Sequence, residues 1–237
     1  MPGERQNRNS SIKTTLMELR HTMSQAEAHA YSLGEEIANS VTHGAGALMA
    51  LVGLVVLCVE AVRSGGVWQL LGCSVYGASL IACLSFSTLY HAVASARWKP
   101  MLRTCDHASI FALIAGTYTP FMLVNLRGAW GWTLLAVIWL AALSGITLRV
   151  YFRGRHHRIV VALYLAMGWA VLIATKPMLQ HVAVRALWLL AAGGVAFTVG
   201  VLFYRAKRTA YTHSVWHGFV LIGAALHFFA VRYAVMP

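Results

Sequence analysis

Residues 105–126 read CDHASIFALIAGTYTPFMLVNL, an apolar run with a single formal charge, Asp106, at its mouth. A run of this length can cross about 30 Å of hydrocarbon as a helix, for which roughly 20 residues suffice. Asp106 is the only aspartate in the chain and lies three residues after Arg103. An ionisable group at the edge of a membrane span is costly unless it has a partner, which marks it as a functional position. Of the seven acidic residues, five fall within the first 36 positions, so Glu60 and Asp106 stand alone in the remainder.

Six further stretches of the same kind surround this one, at 40–62, 68–93, 130–149, 159–175, 185–204 and 210–231. The 237-residue chain is 59% hydrophobic and only 11% charged, whereas soluble domains run near a quarter charged. Strand-type alternation is missing, so helices rather than a β-barrel must satisfy the backbone in lipid. The expected fold is an all-α membrane protein, a seven-transmembrane helix bundle. Residues 1–36 form a polar tail, and residues 37–237 form a single transmembrane domain with no linker or internal repeat. No apolar core precedes the first span, which argues against a cleaved signal peptide and makes the first helix its own insertion signal.

Basic residues set the orientation. Fourteen of the nineteen Lys and Arg residues lie in the N-terminal tail and in the second, fourth and sixth loops, around Arg97–Arg103, Arg149–Arg158 and Arg205–Arg208. The positive-inside rule then puts the N-terminus in the cytoplasm and the C-terminus outside, in a multi-pass membrane protein. The net charge of +12 is explained by this distribution, with anionic-lipid contact expected at Arg149–Arg158. Nucleic-acid binding is excluded on the same ground.

Topology turns linear positions into depth. Ser87 and His91 fall in the last turns of the second span, Asp106 and His107 in the first turn of the third, and His213 and His217 in the first turns of the seventh. Glu36, Asn39 and His43 straddle the start of the first span. All of these share the cytoplasmic side of the membrane. His213 and His217 are four apart, the helical spacing that offers two imidazoles to one metal ion. Ser87 and His91 have the same offset, and Glu36, Asn39 and His43 share one stripe. Zinc suits imidazole ligands in tetrahedral geometry, and three protein ligands leave a fourth position for water. Asp106 is the carboxylate that would hold or deprotonate such a water.

Other polar residues carry less. His227, in the middle of the seventh span, reads as a hydrogen-bonded packing residue. His156 and His157 belong to a basic loop, His181 to an outer loop, and His21 and His29 to the tail. Cys58, Cys73, Cys83 and Cys105 show no CxxC pair and read as small apolar residues. Ser87 has the alternative of bonding back to its own helix. Glu36, Asn39 and His43 have the alternative of supporting helix packing.

The motifs Glu36-x2-Asn39-x3-His43, Ser87-x3-His91, Arg103-x2-Asp106-His107 with Gly116-Thr117-Tyr118-Thr119-Pro120, and His213-x3-His217 are together similar to those of the progestin and adipoQ receptor family. The chain most resembles its bacterial, hemolysin III-type branch, over roughly residues 35 to 230. The resemblance implies one zinc ion held by His91, His213 and His217. It implies that Asp106 holds the zinc-bound water and that Ser87 sits beside it; Asn39, His43 and Glu36 are expected to form a supporting shell. It further implies hydrolysis of ceramide-like amides, a link to membrane-lipid homeostasis and, more loosely, to cytolysis.

Three functions compete on this reading. The first is zinc-dependent hydrolysis of a lipid amide or ester, with Asp106 as general base and Ser87 helping to stabilise the oxyanion. The second is a non-catalytic sensor or regulator whose zinc is structural, the outcome favoured if His43 supplies a fourth ligand. The third, ranked last, is a pore-former, because the outer halves of the helices offer little polar lining. Membrane lipids are the expected partners in every case. The lipid concerned and the oligomeric state stay open.

Overall fold

In the computed structural model, which describes residues 31–64, 66–151, 157–206 and 209–236, the polar tail gives way to helix at Leu33. Ser32 and Glu35 cap that start reciprocally: the Ser32 hydroxyl accepts from the Glu35 N–H at 3.2 Å, and the Glu35 carboxylate accepts from the Ser32 N–H at 2.9 Å. Such a capping box satisfies two donors that a helix start leaves orphaned. Helix α1 (Leu33–Arg63) therefore starts ahead of the apolar run, and Glu36, Asn39 and His43 all stand on its first turns. The tail with His21 and His29 lies outside the described residues. So do residues 152–156, with Arg153, Arg155 and His156.

The chain continues as α2 (Val67–Ala92), α3 (Lys99–Pro120) with a π-helical turn Phe121–Asn125, and α4 (Ala129–Tyr151). Then follow α5 (His157–Trp169), a 3-10 turn Ala170–Ala174 and α6 (Thr175–His181), and finally α7 (Val184–Arg205) and α8 (Thr212–Val235). These elements make seven rods long and apolar enough to cross a membrane, α5 and α6 together forming the fifth. The described residues contain no strand. Leu48, Val52, Leu140 and Leu202 point outward and stay exposed, as an outer surface made for lipid requires.

The Gly116–Pro120 motif sits where spans meet. Pro120 packs against Gly72 of α2 so closely that a Cβ on Gly72 would stand 2.7 Å from the Pro120 Cα. The Thr119 hydroxyl accepts from the Trp139 indole N–H of α4 at 3.2 Å. Tyr118 reaches into the fifth span, where its hydroxyl donates to the Met167 carbonyl at 2.7 Å and accepts from the Val171 N–H at 2.8 Å. The fifth span breaks into its 3-10 turn at that point, so backbone groups freed by the break are met by a neighbouring helix. This span runs to His181 rather than ending near 175. Its Lys176 and Pro177, which read as loop residues in sequence, belong to the first turn of α6, a position that tolerates proline.

Two charged residues gain assignments here. Glu60 is met by Arg232 of α8, whose Nε lies 3.1 and 3.0 Å from the two carboxylate oxygens and whose Nη2 lies 2.7 Å from one of them. That bidentate pair joins the first and last spans at the C-terminal end of the bundle. Arg149 departs from the expected lipid-facing loop position. It is 4% exposed and turns into the bundle near Asp106. A residue at the end of α4 has a helix face to choose, and Arg149 takes the inner one.

Candidate metal centre

Helix ends converge where α1 begins, among them the starts of α1, α3 and α8 and the ends of α2, α4 and α7. On α8 the four-residue spacing brings the Nε2 atoms of His213 and His217 to 3.1 Å. His91 arrives from the end of α2, and one ring nitrogen from each of His91, His213 and His217 lies within 4.8 Å of the others. Two nitrogens bound to one tetrahedral zinc at about 2.05 Å stand about 3.3 Å apart. The His213–His217 separation fits that edge without rearrangement.

The tautomer of His91 is set from behind. Its Nδ1–H donates to Glu36 Oε2 at 2.5 Å, and Glu36 Oε1 accepts in turn from Lys99 Nζ at 2.8 Å. The other ring nitrogen, Nε2, is buried with no hydrogen-bond partner among the described residues. A buried, unpartnered acceptor is expensive, and this one belongs to a ring clustered with two other imidazoles. Carboxylate–histidine pairs of this kind orient metal ligands and raise their basicity. The cluster can hold a metal ion.

Asn39 and His43 line the same corner in different ways. The Asn39 Oδ1 accepts from the Ser214 hydroxyl at 2.7 Å, tying α1 to α8, and its Nδ2 stands 3.5 Å from His91 Nδ1. Because that nitrogen gives its proton to Glu36, the Asn39 contact is one of packing. His43 stacks face to face on His217, with centroids 3.7 Å apart and planes at 14°. It does not join the three-nitrogen cluster, so its geometry is that of a wall and not of a fourth ligand.

Asp106 also stays out of the cluster. The Ser87 hydroxyl turns toward its carboxylate, and Arg149 and Arg103 are the nearby positive charges. His107 stays out of the three-nitrogen cluster as well. Its Nδ1–H donates to the Arg103 carbonyl at 2.8 Å, and its Nε2 meets the Tyr204 hydroxyl at 3.1 Å. Arg149 is buried with its Nε unpartnered among the described residues.

Asp106, Ser87, His213 and His217 form the head of a cavity of about 470 Å³. Its body is apolar, walled by α3 residues such as Ile110 and Leu113 and by Leu165 and Leu187. At its far end it reaches Leu179, Val184 and Trp188, which are 62%, 62% and 73% exposed. The cavity thus reaches the outer surface of the bundle between the fifth and sixth spans. Its size and lining are those of a small-molecule site. His227 borders the same cavity and donates from Nε2 to the Leu190 carbonyl at 3.1 Å, the packing role its isolation suggested.

All eight site residues expected from sequence therefore lie at one end of the bundle. Tyr31 and Arg149 were not among the residues expected at the site. Tyr31 stacks on His213 with centroids 4.7 Å apart and planes at 28°. The readable signal for its position was the Ser32-x2-Glu35 cap directly after it. Nothing in sequence distinguished Arg149 from the other loop arginines.

A family model described as Haemolysin-III related matches residues 31–228. The hemolysin-3 of Bacillus cereus is 39% identical over 203 residues, 86% of this chain and 93% of that protein. The hemolysin-3 homolog of Bacillus subtilis (strain 168) is 39% identical over 203 residues, 86% of this chain and 95% of that protein. The human monocyte to macrophage differentiation factor is 30% identical over 207 residues, 83% of each chain.

Proposed function

The chain belongs to the haemolysin-III related family of membrane proteins, and from that premise we propose that it is a zinc-dependent hydrolase of a lipid amide or ester, acting at the cytoplasmic side of the inner membrane in membrane-lipid homeostasis. The observation that carries the reading is the Glu36–His91 pair. It leaves His91 Nε2 deprotonated and without a partner in the cluster with His213 and His217, and those two histidines line an apolar-walled cavity that would accept acyl chains.

A zinc ion held there would supply Lewis-acid polarisation of the scissile carbonyl. Asp106 would take the proton of the attacking water and return it to the leaving nitrogen or oxygen, so that one C–N or C–O bond breaks as one C–O bond forms. Ser87, turned toward Asp106, would hold that carboxylate in line. Arg149, buried nearby with its Nε free, would counter negative charge developing on the carbonyl oxygen. The apolar wall would seat the chains and keep bulk water from them.

The test is purified protein assayed for metal content and for turnover of a panel of lipid amides and esters. Asp106→Ala is expected to keep its zinc, because the carboxylate stands outside the ligand cluster, and to lose turnover by a factor of about 10² to 10⁴. Zinc-loaded wild type that turns over nothing in the panel would favour a regulator with a structural metal. The stacking of His43 on His217, which closes one side of the cluster, is the observation that favours that second reading.

A further inference from the structure

We propose that Tyr31 is a positioning residue that closes the three-histidine site from the end of the bundle, so that ligands meet the metal from the membrane cavity and not from bulk water. The inference rests on the metal reading above and goes beyond it, to how the site is enclosed and approached.

Tyr31 lies across two of the three ligand rings. Its ring stacks on His213 at 4.7 Å and leans on His91 at 5.6 Å with planes at 57°. His43 backs His217 at 3.7 Å, so stacked rings support His213 and His217 and a tilted ring meets His91. His91 and His217 are 3% and 2% exposed. His213, under the Tyr31 ring, is half-buried, and Ser87, Asp106, His213 and His217 also line the cavity, which gives the cluster a side open to it.

The turn that carries Tyr31 is anchored twice by one side chain. Glu35 caps Ser32 through Oε2 and accepts the Tyr211 N–H through Oε1 at 2.7 Å. Tyr211 holds a left-handed backbone, φ 60°, directly ahead of α8. A non-glycine residue adopts that conformation at a cost and needs surrounding contacts to hold it. Gly34 admits the approach: a Cβ there would stand 2.8 Å from the Tyr211 hydroxyl. The start of α1 is thereby tied to the start of α8 two residues before His213. Aromatic contacts of this geometry restrict ring rotation, and an imidazole held in its ligand orientation gives up less freedom when it binds.

The test uses the full chain in nanodiscs loaded with Co²⁺, which reports its coordination through its visible ligand-field absorption. Wild type, Tyr31→Phe, Tyr31→Ala and Glu35→Gln are compared for that spectrum and for the rate of metal loss to EDTA and to an amphiphilic chelator. Tyr31→Phe is expected to match wild type, because the ring acts and not the hydroxyl. Tyr31→Ala is expected to lose Co²⁺ to EDTA at least ~10-fold faster, the low end of supporting-shell effects, with an altered spectrum. Glu35→Gln, which loosens the turn and keeps the ring, should fall between them. Wild type should yield its metal faster to the amphiphilic chelator than to EDTA, and Tyr31→Ala should erase that preference. Unchanged spectra and release rates in both Tyr31→Ala and Glu35→Gln would overturn the inference while leaving the metal reading intact. Wild type that takes up no Co²⁺ would overturn both.

Discussion

Glu36 is the residue on which the candidate metal centre turns, because one carboxylate fixes a tautomer and is itself fixed. Its Oε2 holds His91 Nδ1–H and its Oε1 holds Lys99 Nζ, so the acid is charge-balanced where α1, α2 and α3 meet. Replacing it with glutamine keeps the shape and removes the charge that favours proton donation from Nδ1. Glu36→Gln is expected to weaken zinc binding by about 10- to 100-fold with folding preserved, measured by competition against a chromophoric chelator. An unchanged affinity would remove Glu36 from the supporting shell. At this scale the clustering of the candidate ligands was partly legible, because a four-residue spacing on a helix puts His213 and His217 on one face whatever else the chain does. The tautomer of His91 was not, since it depends on a partner 55 residues away. Nor was Arg149, whose inward turn depends on which side of α4 meets α3.

The Gly116–Pro120 segment shows what an element contributes that its residues do not announce. Its side chains bond α4 and the fifth span, and its proline lies against Gly72 of α2. Close helix approach in a membrane relies on small residues at the contact. Gly72→Ala has to move backbone on Pro120 and is expected to cost about 1 to 3 kcal/mol, read as a lower thermal midpoint in detergent. Gly168→Ala is the control: a Cβ there meets nothing within 4 Å, and its midpoint should not fall. Equal losses in the two variants would deny the packing role of Gly72. The spans themselves were legible from apolar length, and the ends of α2 fall within a residue of those expected. The 3-10 break of the fifth span was not, because the groups that stabilise it belong to Tyr118 on another helix.

Across the whole molecule the three candidate ligands come from only two helices, α2 and α8. A metal held between them joins an early span to the last one, and metal bound to the folded state alone stabilises it by mass action. Stripping zinc with a chelator is expected to lower the thermal midpoint, by about 4 kcal/mol of stability where free metal stands 1,000-fold above its Kd. His91→Ala should abolish the chelator's effect. A midpoint indifferent to chelation would dissolve the staple. Seven spans put the two termini on opposite faces of a membrane, and reporter fusions at each end should read opposite sides, with the N-terminus cytoplasmic. Sequence by itself determined the class of fold, since roughly 20 apolar residues in water are too costly to leave unburied and only a helix satisfies their backbone in lipid. It also determined that His91, Asp106, His213 and His217 share one depth, because helix rise converts position into height. Tertiary structure decided the rest: which nitrogen of His91 is free, that His43 stacks instead of joining the cluster, that Arg149 turns inward, and that Tyr31 lies over the site. Those outcomes depend on rotation of one helix against another, and that rotation is set by packing between residues far apart in the chain.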